Sequence, residues 1–395
     1  MGPDSENQNA IAETGQAPCD LTIVAHDIGP VGGMERQLVQ LITGLRRLGH
    51  RVRVIARTCE LPPGSGVDFI KVPGPSRPFL IAYPWFLIAG SLAVRRHRRG
   101  VVQATGAIVL NPVDTIAVHY CHQIGVTTSS RDTGAGRLYI RVVGWVSRVF
   151  ERLCYSLNRH ALFVCVSEGV ADELRRFFPT AAERVMSIPN GVDVDAFQPG
   201  LRADEAAGLR AAQGIAPDRL TAAFVGSEWE RKGLGPAIRA LAAAPDWDLI
   251  VAGGGDQDSY RELGRSIGVA ERIHWLGVSR DVPLVYEAAD ALVFPSSYEA
   301  FPLVILEAAA SGLAILTTPV NGVGELLVDG RSGMLITKDP AVIGARLQEL
   351  AGDPELRRTI AQGAREAVLS FTWERMVRSH HELYQRIAAG ERSAP

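Results

Sequence analysis

Short apolar runs alternate with helix-like spacing of apolar residues along the first half of the chain. The run 21–25 is followed by a glycine turn, by apolar residues at helical spacing from Met34 to Leu45, and by a second run at 51–56. Strand, crossover helix and strand in this order predict neighbouring parallel strands. Further strands are expected at 101–104, 115–118 and 162–166. The pattern therefore indicates an α/β domain.

The second half repeats this order of elements. Strand-like runs are expected at 220–225, 248–252, 273–276, 291–294 and 313–317, with helices between them. The segment 195–217 is rich in alanine, glycine, proline and charge, which is typical of a linker. A chain of 395 residues also suits two domains rather than one. We predict a tail (1–20), a first domain (21–196), a second domain (197–371) and an amphipathic closing helix (372–390).

Composition narrows the class of protein. The 41 basic and 43 acidic residues lack the charge excess of a nucleic-acid-binding protein. The five cysteines show no C-x-x-C spacing, which argues against a disulfide framework or a structural zinc site and favours the cytoplasm. The polar start is interpreted as a disordered tail rather than a signal peptide. The apolar stretch 79–94 is shorter than the roughly 20 residues that cross a bilayer, and is interpreted as a buried or partly interfacial helix.

Two glutamates eight positions apart provide the most specific signal. Glu299 lies in the turn after the run 291–294, and Glu307 lies on the helix that opens at Pro302. In parallel α/β sheets, ligands bind beyond the carboxyl ends of the strands, where helix N-terminal amides also attract anions. Two carboxylates beside an anion site suit a polyhydroxylated, phosphorylated ligand. The alternative is that Glu299 is a solvated loop residue and Glu307 an exposed helix position.

Two adjacent cations, Arg231 and Lys232, follow the first strand of the second domain. Cations at such a loop can neutralise a diphosphate leaving group without a metal ion. The alternative is a solvated basic loop. Asp256 and Asp258 resemble a metal-binding D-x-D pair, but their place in a turn before a helix favours solvated carboxylates. The sequence therefore predicts no catalytic metal and no cofactor.

The Glu299 and Glu307 pair and the Lys232 loop resemble the retaining glycosyltransferases of the GT-B fold, especially glycosyltransferase family 4, over about 21–384. The resemblance implies two Rossmann-like parallel-sheet domains facing each other across a cleft, with the closing helix returning to the first domain. It also implies a nucleotide-sugar donor. Many members carry an arginine where this chain has Ser227, and Arg231 is expected to supply the missing charge. The implied donor-binding residues are Gly33, Gly254, Leu276, Phe301, Pro302, Leu303 and Glu307, and the implied catalytic residues are His119, Arg231, Lys232 and Glu299.

His119 and Gly33 are the first-domain members of this set. His119 follows the expected strand 115–118, where the family places a histidine that contacts the transferred sugar. A hydrogen-bonded structural histidine is the alternative, and His122 is a competitor if the register differs. Gly33 opens the first-domain helix, and a glycine there lets the backbone approach a phosphate or sugar.

A basic helix is predicted over 137–159. Five arginines, at positions 137, 141, 148, 152 and 159, fall within about 60° of one another at 100° per residue. Apolar residues occupy the opposite side: Val142, Val146, Val149, Phe150, Leu153 and Leu157. We predict that this helix lies against an anionic membrane surface at the inner face of the cell membrane. An ordinary helix with a solvated basic face is the alternative.

The sequence thus predicts a retaining transfer of sugar from a nucleotide-sugar donor to a glycan or lipid-linked acceptor in cell-envelope or polysaccharide biosynthesis. A sugar-nucleotide epimerase of the same fold and a catalytically silent GT-B-like binding protein are the alternatives. Glu299, Glu307 and Lys232 argue against the silent protein.

Overall fold

The computed structural model describes residues 18–30, 32–125 and 134–391. The chain forms two compact units. The first contains the chain up to Asn190 together with the segment from Trp373 onwards, and the second is Gly191–Thr372. Most of the tail predicted for 1–20 lies outside the described residues, and Asp20 already begins the first strand.

The strands of the first unit are β1 Asp20–Val24, β2 Asp27–Ile28, β3 Arg51–Ala56, β4 Thr58–Cys59, β5 Asp68–Lys71, β6 Val101–Thr105, β7 Thr115–Val118, β8 Leu162–Cys165 and β9 Val185–Ser187. Seven of them form a parallel sheet in the order β5-β3-β1-β6-β7-β8-β9, and β2 pairs with β4. The central strands are buried along nearly their whole length, as in sheets that are covered on both faces.

Helices cover this sheet: α1 Gly33–Arg47, α2 Phe79–His97, α3 Gly134–Leu157 and α4 Glu168–Phe177. Helix α1 buries Leu38, Leu41, Ile42 and Leu45, whose spacing places them on one side of the helix. Helix α4 begins after Ser167, whose hydroxyl accepts the Val170 amide hydrogen.

The second unit has a six-stranded parallel sheet in the order β12-β11-β10-β13-β14-β15. Its strands are β10 Leu220–Val225, β11 Trp247–Ala252, β12 Ile273–Gly277, β13 Ala291–Phe294, β14 Ala314–Thr317 and β15 Met334–Leu335. Its helices are α5 Ala203–Ala212, α6 Trp229–Lys232, α7 Leu234–Ala240, α8 Gln257–Ser266, α9 Val282–Glu287, α10 Leu303–Ala310, α11 Val323–Leu326, α12 Pro340–Gly352 and α13 Pro354–Val368. The predicted α/β architecture with two parallel sheets is confirmed.

The last helix, α14 Trp373–Ala388, belongs to the first unit. Its residues Met376, Leu383, Tyr384 and Ile387 join the same core cluster as α1. The Tyr384 hydroxyl also donates to Gln103 Oε1 at 2.6 Å. Burying each large apolar side chain contributes roughly 1.5–3 kcal/mol, so this helix is a part of the first-unit core.

The unit boundaries differ slightly from those expected after 196 and 371. The structure places them after Asn190 and Thr372. The Val192 amide donates to the Phe371 carbonyl at 2.9 Å, and Val192 forms a parallel bridge with Thr372. These backbone contacts join the first and the last residues of the second unit, so both points at which the chain passes between the units lie next to each other.

Helix α2 contains the apolar stretch of the sequence. It is long and apolar enough to cross a membrane by length and composition alone, a test that core helices of soluble proteins also pass. One side, which includes Phe86, Leu87 and Val94, is buried in the unit. The other side exposes a row of apolar residues: Ile81, Trp85, Ile88 and Leu92.

Candidate active site

Six loops of the second unit, one after each strand, leave from the carboxyl edge of its sheet. In the strand register, Val225 pairs with Ala252, Ala252 with Gly277, and Phe294 with Thr317. The residues that follow these strand ends therefore lie along one edge, where ligands bind in parallel α/β sheets. Six of the predicted site residues lie in two of these loops or in the first turn of the helix that follows: Arg231, Lys232, Glu299, Phe301, Pro302 and Leu303.

The loop after β10 has an unusual backbone. Glu228 is the one non-glycine residue in the described part of the chain with a positive φ, at 57°. Gly233, which ends α6, has a φ of 85°, and a Cβ there would lie 2.2 Å from the Pro295 carbonyl oxygen. Only glycine therefore allows this loop to approach the loop after β13 so closely. The approach brings Arg231 and Lys232 to Glu299.

Arg231 binds protein groups with its guanidinium. Nη1 lies 2.8 Å from Glu299 Oε1 and Nη2 lies 2.8 Å from Glu228 Oε2. Nη1 also donates to the Tyr298 carbonyl oxygen. Burial lowers the pKa of Arg231, but the two carboxylates outweigh it and the net shift is upward. The expectation that Arg231 supplies charge to a diphosphate is not what this arrangement favours, because its hydrogen bonds already hold Glu299 in place.

Lys232 differs from its neighbour. Its Nζ lies 3.7 Å from Glu299 Oε1, beyond hydrogen-bonding distance, and 4.9 Å from the centre of the Phe294 ring. Within the described part of the chain, the ammonium group makes no hydrogen bond. Burial lowers the pKa of Lys232, and the Glu299 carboxylate opposes this shift. Lys232 is thus a largely buried cation with donors available to an anion.

Glu299 uses its two carboxylate oxygens differently. Oε1 accepts from Arg231 and, at 3.0 Å, from the Ser296 hydroxyl. Oε2 has no hydrogen bond among residues 18–30, 32–125 and 134–391. The side chain is 13% exposed, so Glu299 is not a solvated loop residue. One oxygen is held in place and the other can accept a hydroxyl hydrogen.

Glu307 is buried in α10, with 5% exposure, and is not an exposed helix position. The Tyr286 hydroxyl donates to its Oε2 at 3.2 Å. Pro302 immediately precedes the helix, and Phe301 and Leu303 are buried beside it. Because a buried carboxylate is costly unless polar groups contact it, its position beside a ligand-binding edge favours a role in ligand contact.

Gly254 lies near the loop after β10, because a Cβ on Gly254 would be 3.9 Å from Ser227 Oγ. Leu276 is half-buried at the end of β12. Asp256 caps α8 by accepting the Ser259 amide hydrogen at 3.3 Å, and Asp258 lies exposed in the first turn of that helix. The Asp256 carboxylate therefore has a structural partner.

His119 and Gly33 lie in the first unit. His119 follows β7, and its Nε2 lies 3.3 Å from Oε1 of Gln37, a residue on the helix that Gly33 opens. His119 Nδ1 is buried and has no partner in the described part of the chain. Burial, with a smaller effect of His380, lowers the pKa of His119 to about 4, so the ring is neutral at pH 7.

His122, the competing histidine, has a different environment. Its backbone amide donates to Glu151 Oε1 on α3 at 2.9 Å. Its ring packs against Tyr120, with ring centres 5.1 Å apart. The structure therefore places His119, and not His122, beside α1.

Several residues of this region were missed by sequence reasoning. Ser296 and Tyr286 contact the two glutamates, and Phe294 lies under the Lys232 ammonium group. Lys338 donates to Ser297 Oγ at 2.6 Å, which places another cation at the loop after β13. Ser296 is close enough to Glu299 in sequence to be suspected. Tyr286 and Lys338 have no local signal, because the folded sheet brings them there.

Comparison with known proteins agrees with this arrangement. Residues 31–196 match the sequence family described as Glycosyltransferase Family 4, and residues 207–367 match Glycosyl transferases group 1. The chain belongs to glycosyltransferase family 4. The predicted family and the predicted enzyme class, a glycosyltransferase, are confirmed.

Relatives of this glycosyltransferase span both units. It is 28% identical to a D-inositol 3-phosphate glycosyltransferase of Actinosynnema mirum, over 89% of this chain and 91% of the relative. Its fold matches the crystal structure of WaaG, a glycosyltransferase involved in lipopolysaccharide biosynthesis, with a TM-score of 0.76, 22% identity and coverage of 94% and 100% of the two chains. It also matches Anabaena Alr3699/HepE in complex with UDP and glucose, with a TM-score of 0.69, 21% identity and coverage of 92% and 99%. The fold is therefore that of the GT-B glycosyltransferases.

Proposed function

We propose that this glycosyltransferase moves a sugar, with retention of configuration, from a nucleotide-sugar donor to a glycan or lipid-linked acceptor in cell-envelope or polysaccharide biosynthesis. One observation carries the donor side of the proposal. The Lys232 ammonium has unused donors and lies 3.7 Å from Glu299 Oε1, an oxygen held by Arg231 and Ser296. A cation and a fixed carboxylate at this edge suit a phosphate and a hydroxyl group of one ligand.

In the proposed reaction, Lys232 donates hydrogen bonds to the departing diphosphate. Negative charge develops on that group in the transition state, and a largely buried cation stabilises it more than solvent-exposed charge would. Glu307 accepts hydrogen bonds from the ribose hydroxyls. Glu299 Oε2 accepts one from the transferred sugar, and Arg231 positions Glu299.

Retention follows if the acceptor hydroxyl attacks from the face that the diphosphate leaves. A phosphate oxygen of the leaving group then takes the acceptor proton, so the protein does not need to supply a general base. His119, neutral at pH 7, serves as a hydrogen-bonding group for the sugar. We infer that no metal or other cofactor is required, because Lys232 carries the charge compensation.

The relatives support the substrate classes. Alr3699/HepE was crystallised with UDP and glucose, WaaG is involved in lipopolysaccharide biosynthesis, and the Actinosynnema mirum relative is named for D-inositol 3-phosphate. The UDP and UDP-glucose complexes of Alr3699/HepE support a nucleotide-sugar donor for this chain. The acceptor, a glycan or a lipid-linked molecule, is the more specific part of the proposal.

We also propose that the enzyme is cytoplasmic and associates with the inner face of the membrane through α2 and α3. The exposed side of α3 carries apolar residues as well as arginines: Leu138, Val142, Trp145, Val149, Leu153 and Leu157. Four of them repeat at the spacing of the exposed row on α2. Large exposed apolar residues next to basic ones suit the boundary between lipid tails and anionic headgroups.

The test of the proposed activity is incubation with a panel of nucleotide sugars, followed by chromatography of the nucleotide product and NMR of the transferred sugar. The proposal predicts release of a nucleoside diphosphate, an unchanged anomeric configuration, and activity that persists in excess EDTA. An inverted product would contradict retention. Loss of activity in EDTA, restored by Mn²⁺ or Mg²⁺, would contradict metal independence. Formation of an epimerised nucleotide sugar without transfer would contradict the proposed reaction itself.

A further inference from the structure

Glu307 contacts a buried residue that the proposed reaction does not use. The hydroxyl of Tyr286, on α9, donates to Glu307 Oε2 at 3.2 Å. The Val304 carbonyl oxygen is also within reach of this hydroxyl, at 3.4 Å. The carboxylate is the closer acceptor and carries charge, so it takes the stronger hydrogen bond. Because both side chains are buried, loss of the hydroxyl would remove a donor that solvent does not simply replace.

Helix α9, which carries Tyr286, is fastened at both ends to the segment 197–202. Asp281, which caps the start of the helix, accepts from Arg202 Nη1 at 2.5 Å. Glu287, the last residue of the helix, accepts the Gly200 amide hydrogen at 2.8 Å. These contacts restrict both the position and the rotation of α9.

The same segment also reaches the helix that carries Glu307. The ring of Phe197 packs against Tyr286, with ring centres 6.0 Å apart. Arg365, on α13, donates to the Phe197 carbonyl oxygen at 3.3 Å and also to the carbonyl oxygen of Ala310, the last residue of α10. Tyr286 and Glu307 are therefore held against one common support within the second unit.

This support matters because a carboxylate that binds a diol must present its oxygens in one orientation. A hydrogen bond to Glu307 Oε2 restricts the rotation of the carboxyl group before a ligand arrives, which reduces the cost of ordering it on binding. A ligand that lacks one hydroxyl would leave a buried acceptor without a donor. Sites of this kind reject such an analogue more strongly than an apolar pocket would.

We propose that Tyr286 is a positioning residue for Glu307, and that the pair selects a ribonucleotide donor over its 2′-deoxy counterpart. This inference rests on the proposed function, because Glu307 is the proposed acceptor for the ribose hydroxyls. Tyr286 does not touch the nucleotide in this arrangement. It acts through the orientation of the Glu307 carboxylate.

Calorimetry with UDP, GDP, ADP and their 2′-deoxy counterparts tests the selection. The unmodified protein should bind its preferred ribonucleotide at least about tenfold more tightly than the 2′-deoxy form. Tyr286→Phe, which removes only the hydroxyl, should weaken ribonucleotide binding by roughly fivefold to tenfold and 2′-deoxynucleotide binding by at most about twofold. Tyr260→Phe, which changes a buried tyrosine of α8, is the matched control and should leave both affinities unchanged.

The comparison of the two nucleotides separates positioning from a general effect on the fold. Equal losses of ribonucleotide and 2′-deoxynucleotide binding in Tyr286→Phe would overturn the inference, as would an unchanged ribonucleotide affinity. Equal binding of both nucleotides by the unmodified protein would overturn the selection. Circular dichroism and thermal unfolding check that each variant is folded.

Glu307→Gln, measured with the same nucleotides, separates this inference from the proposed function. A loss of ribonucleotide binding in Glu307→Gln without a loss in Tyr286→Phe would overturn the role of Tyr286 alone. An unchanged affinity in Glu307→Gln would contradict the proposed contact with the ribose. Failure of the unmodified protein to bind any of the nucleoside diphosphates would contradict the proposed donor chemistry, and the inference with it.

Discussion

Arg231 Nη1 lies 2.8 Å from Glu299 Oε1 and joins the loop after β10 to the loop after β13. This contact makes Arg231 a positioning residue for the carboxylate. Arg231→Gln should lower the free energy of unfolding by about 1–3 kcal/mol, because a buried carboxylate loses a charged hydrogen-bond donor. Denaturant unfolding of the single and double variants with Glu299→Gln measures the coupling between the two residues.

The exposed pair Arg265 and Glu262, 3.0 Å apart, is the matched control for this cycle. Its coupling should be about 0.5 kcal/mol or less, because exposed ion pairs contribute little. The Arg231 and Glu299 coupling should exceed it by about 1 kcal/mol or more. Additive effects of Arg231→Gln and Glu299→Gln would show that the contact does not position Glu299.

The two glutamates should separate in a binding measurement. Glu307→Gln should weaken binding of the nucleoside diphosphate, because an amide offers one acceptor oxygen where a ribose diol is held by two. Glu299→Gln should leave that affinity nearly unchanged and weaken binding of the complete nucleotide sugar. Calorimetry with both ligands checks the division, and equal losses of nucleoside diphosphate affinity in the two variants would contradict it.

Glu151 gives the first unit a predictable pH dependence. It is fully buried on α3, and burial raises its pKa to about 7, although hydrogen bonds from His122 and Gln123 oppose the shift. The folded state therefore holds a proton that the unfolded state releases at a lower pH. The free energy of unfolding should therefore fall as pH rises from about 4.5 to about 7. Above that range, the full cost of burying the ionised carboxylate is present.

Glu151→Gln should remove this cost. We expect its free energy of unfolding to exceed that of the unmodified protein by up to roughly 3 kcal/mol at alkaline pH, with the difference shrinking towards acidic pH. Thermal unfolding of both proteins between acidic and alkaline pH measures the effect. Exposed Glu183→Gln is the control. A Glu151→Gln difference that is constant with pH would contradict titration of this carboxyl.

Helix α3 shows what the sequence could and could not predict. Its periodicity assigned the arginines and the apolar residues to opposite sides, but exposed residues occur in both groups, and the pattern could not say which side faces the core. The buried side contains Ser147, Glu151 and Cys154, while Trp145 and Val149 are exposed. The burial of Glu151 could not be predicted from the hydrophobic pattern. The cost of burying its carboxylate is offset by hydrogen bonds from residues 122–124, which are distant in sequence.

Ten of the fifteen described strands, by contrast, were predictable from local pattern, whereas the short strands β2, β4, β5, β9 and β15 were not. A strand with a continuous apolar run, such as 291–294, buries all its side chains when both faces of the sheet are covered. The edge location of Glu299 followed from that strand and from Pro302. The contact between Arg231 and Glu299 could not be predicted in this way. The two residues are 68 positions apart, and only the pairing of β10 with β13 brings their loops together.

Membrane association should depend on both charge and apolar area. Replacing Arg141, Arg148 and Arg152 by Gln should reduce sedimentation with anionic vesicles. Each arginine should contribute ~1 kcal/mol to the binding free energy at low salt. Trp145→Ser should reduce it as well, because that side chain is 61% exposed in the apolar row. Donor hydrolysis should be unchanged in both variants. Failure of the unmodified protein to sediment with vesicles would contradict the proposed membrane association.

The most direct test of the proposed role of Lys232 is the turnover of Lys232→Ala, measured as release of nucleoside diphosphate from the nucleotide sugar. Exposed Lys71→Ala, in the first unit, is the matched control. We expect a loss of roughly 10²-fold or more for Lys232→Ala, about 3 kcal/mol of transition-state stabilisation, with the protein still folded and the control unaffected. A folded Lys232→Ala variant with near-normal turnover would contradict the claim that this ammonium stabilises the leaving diphosphate.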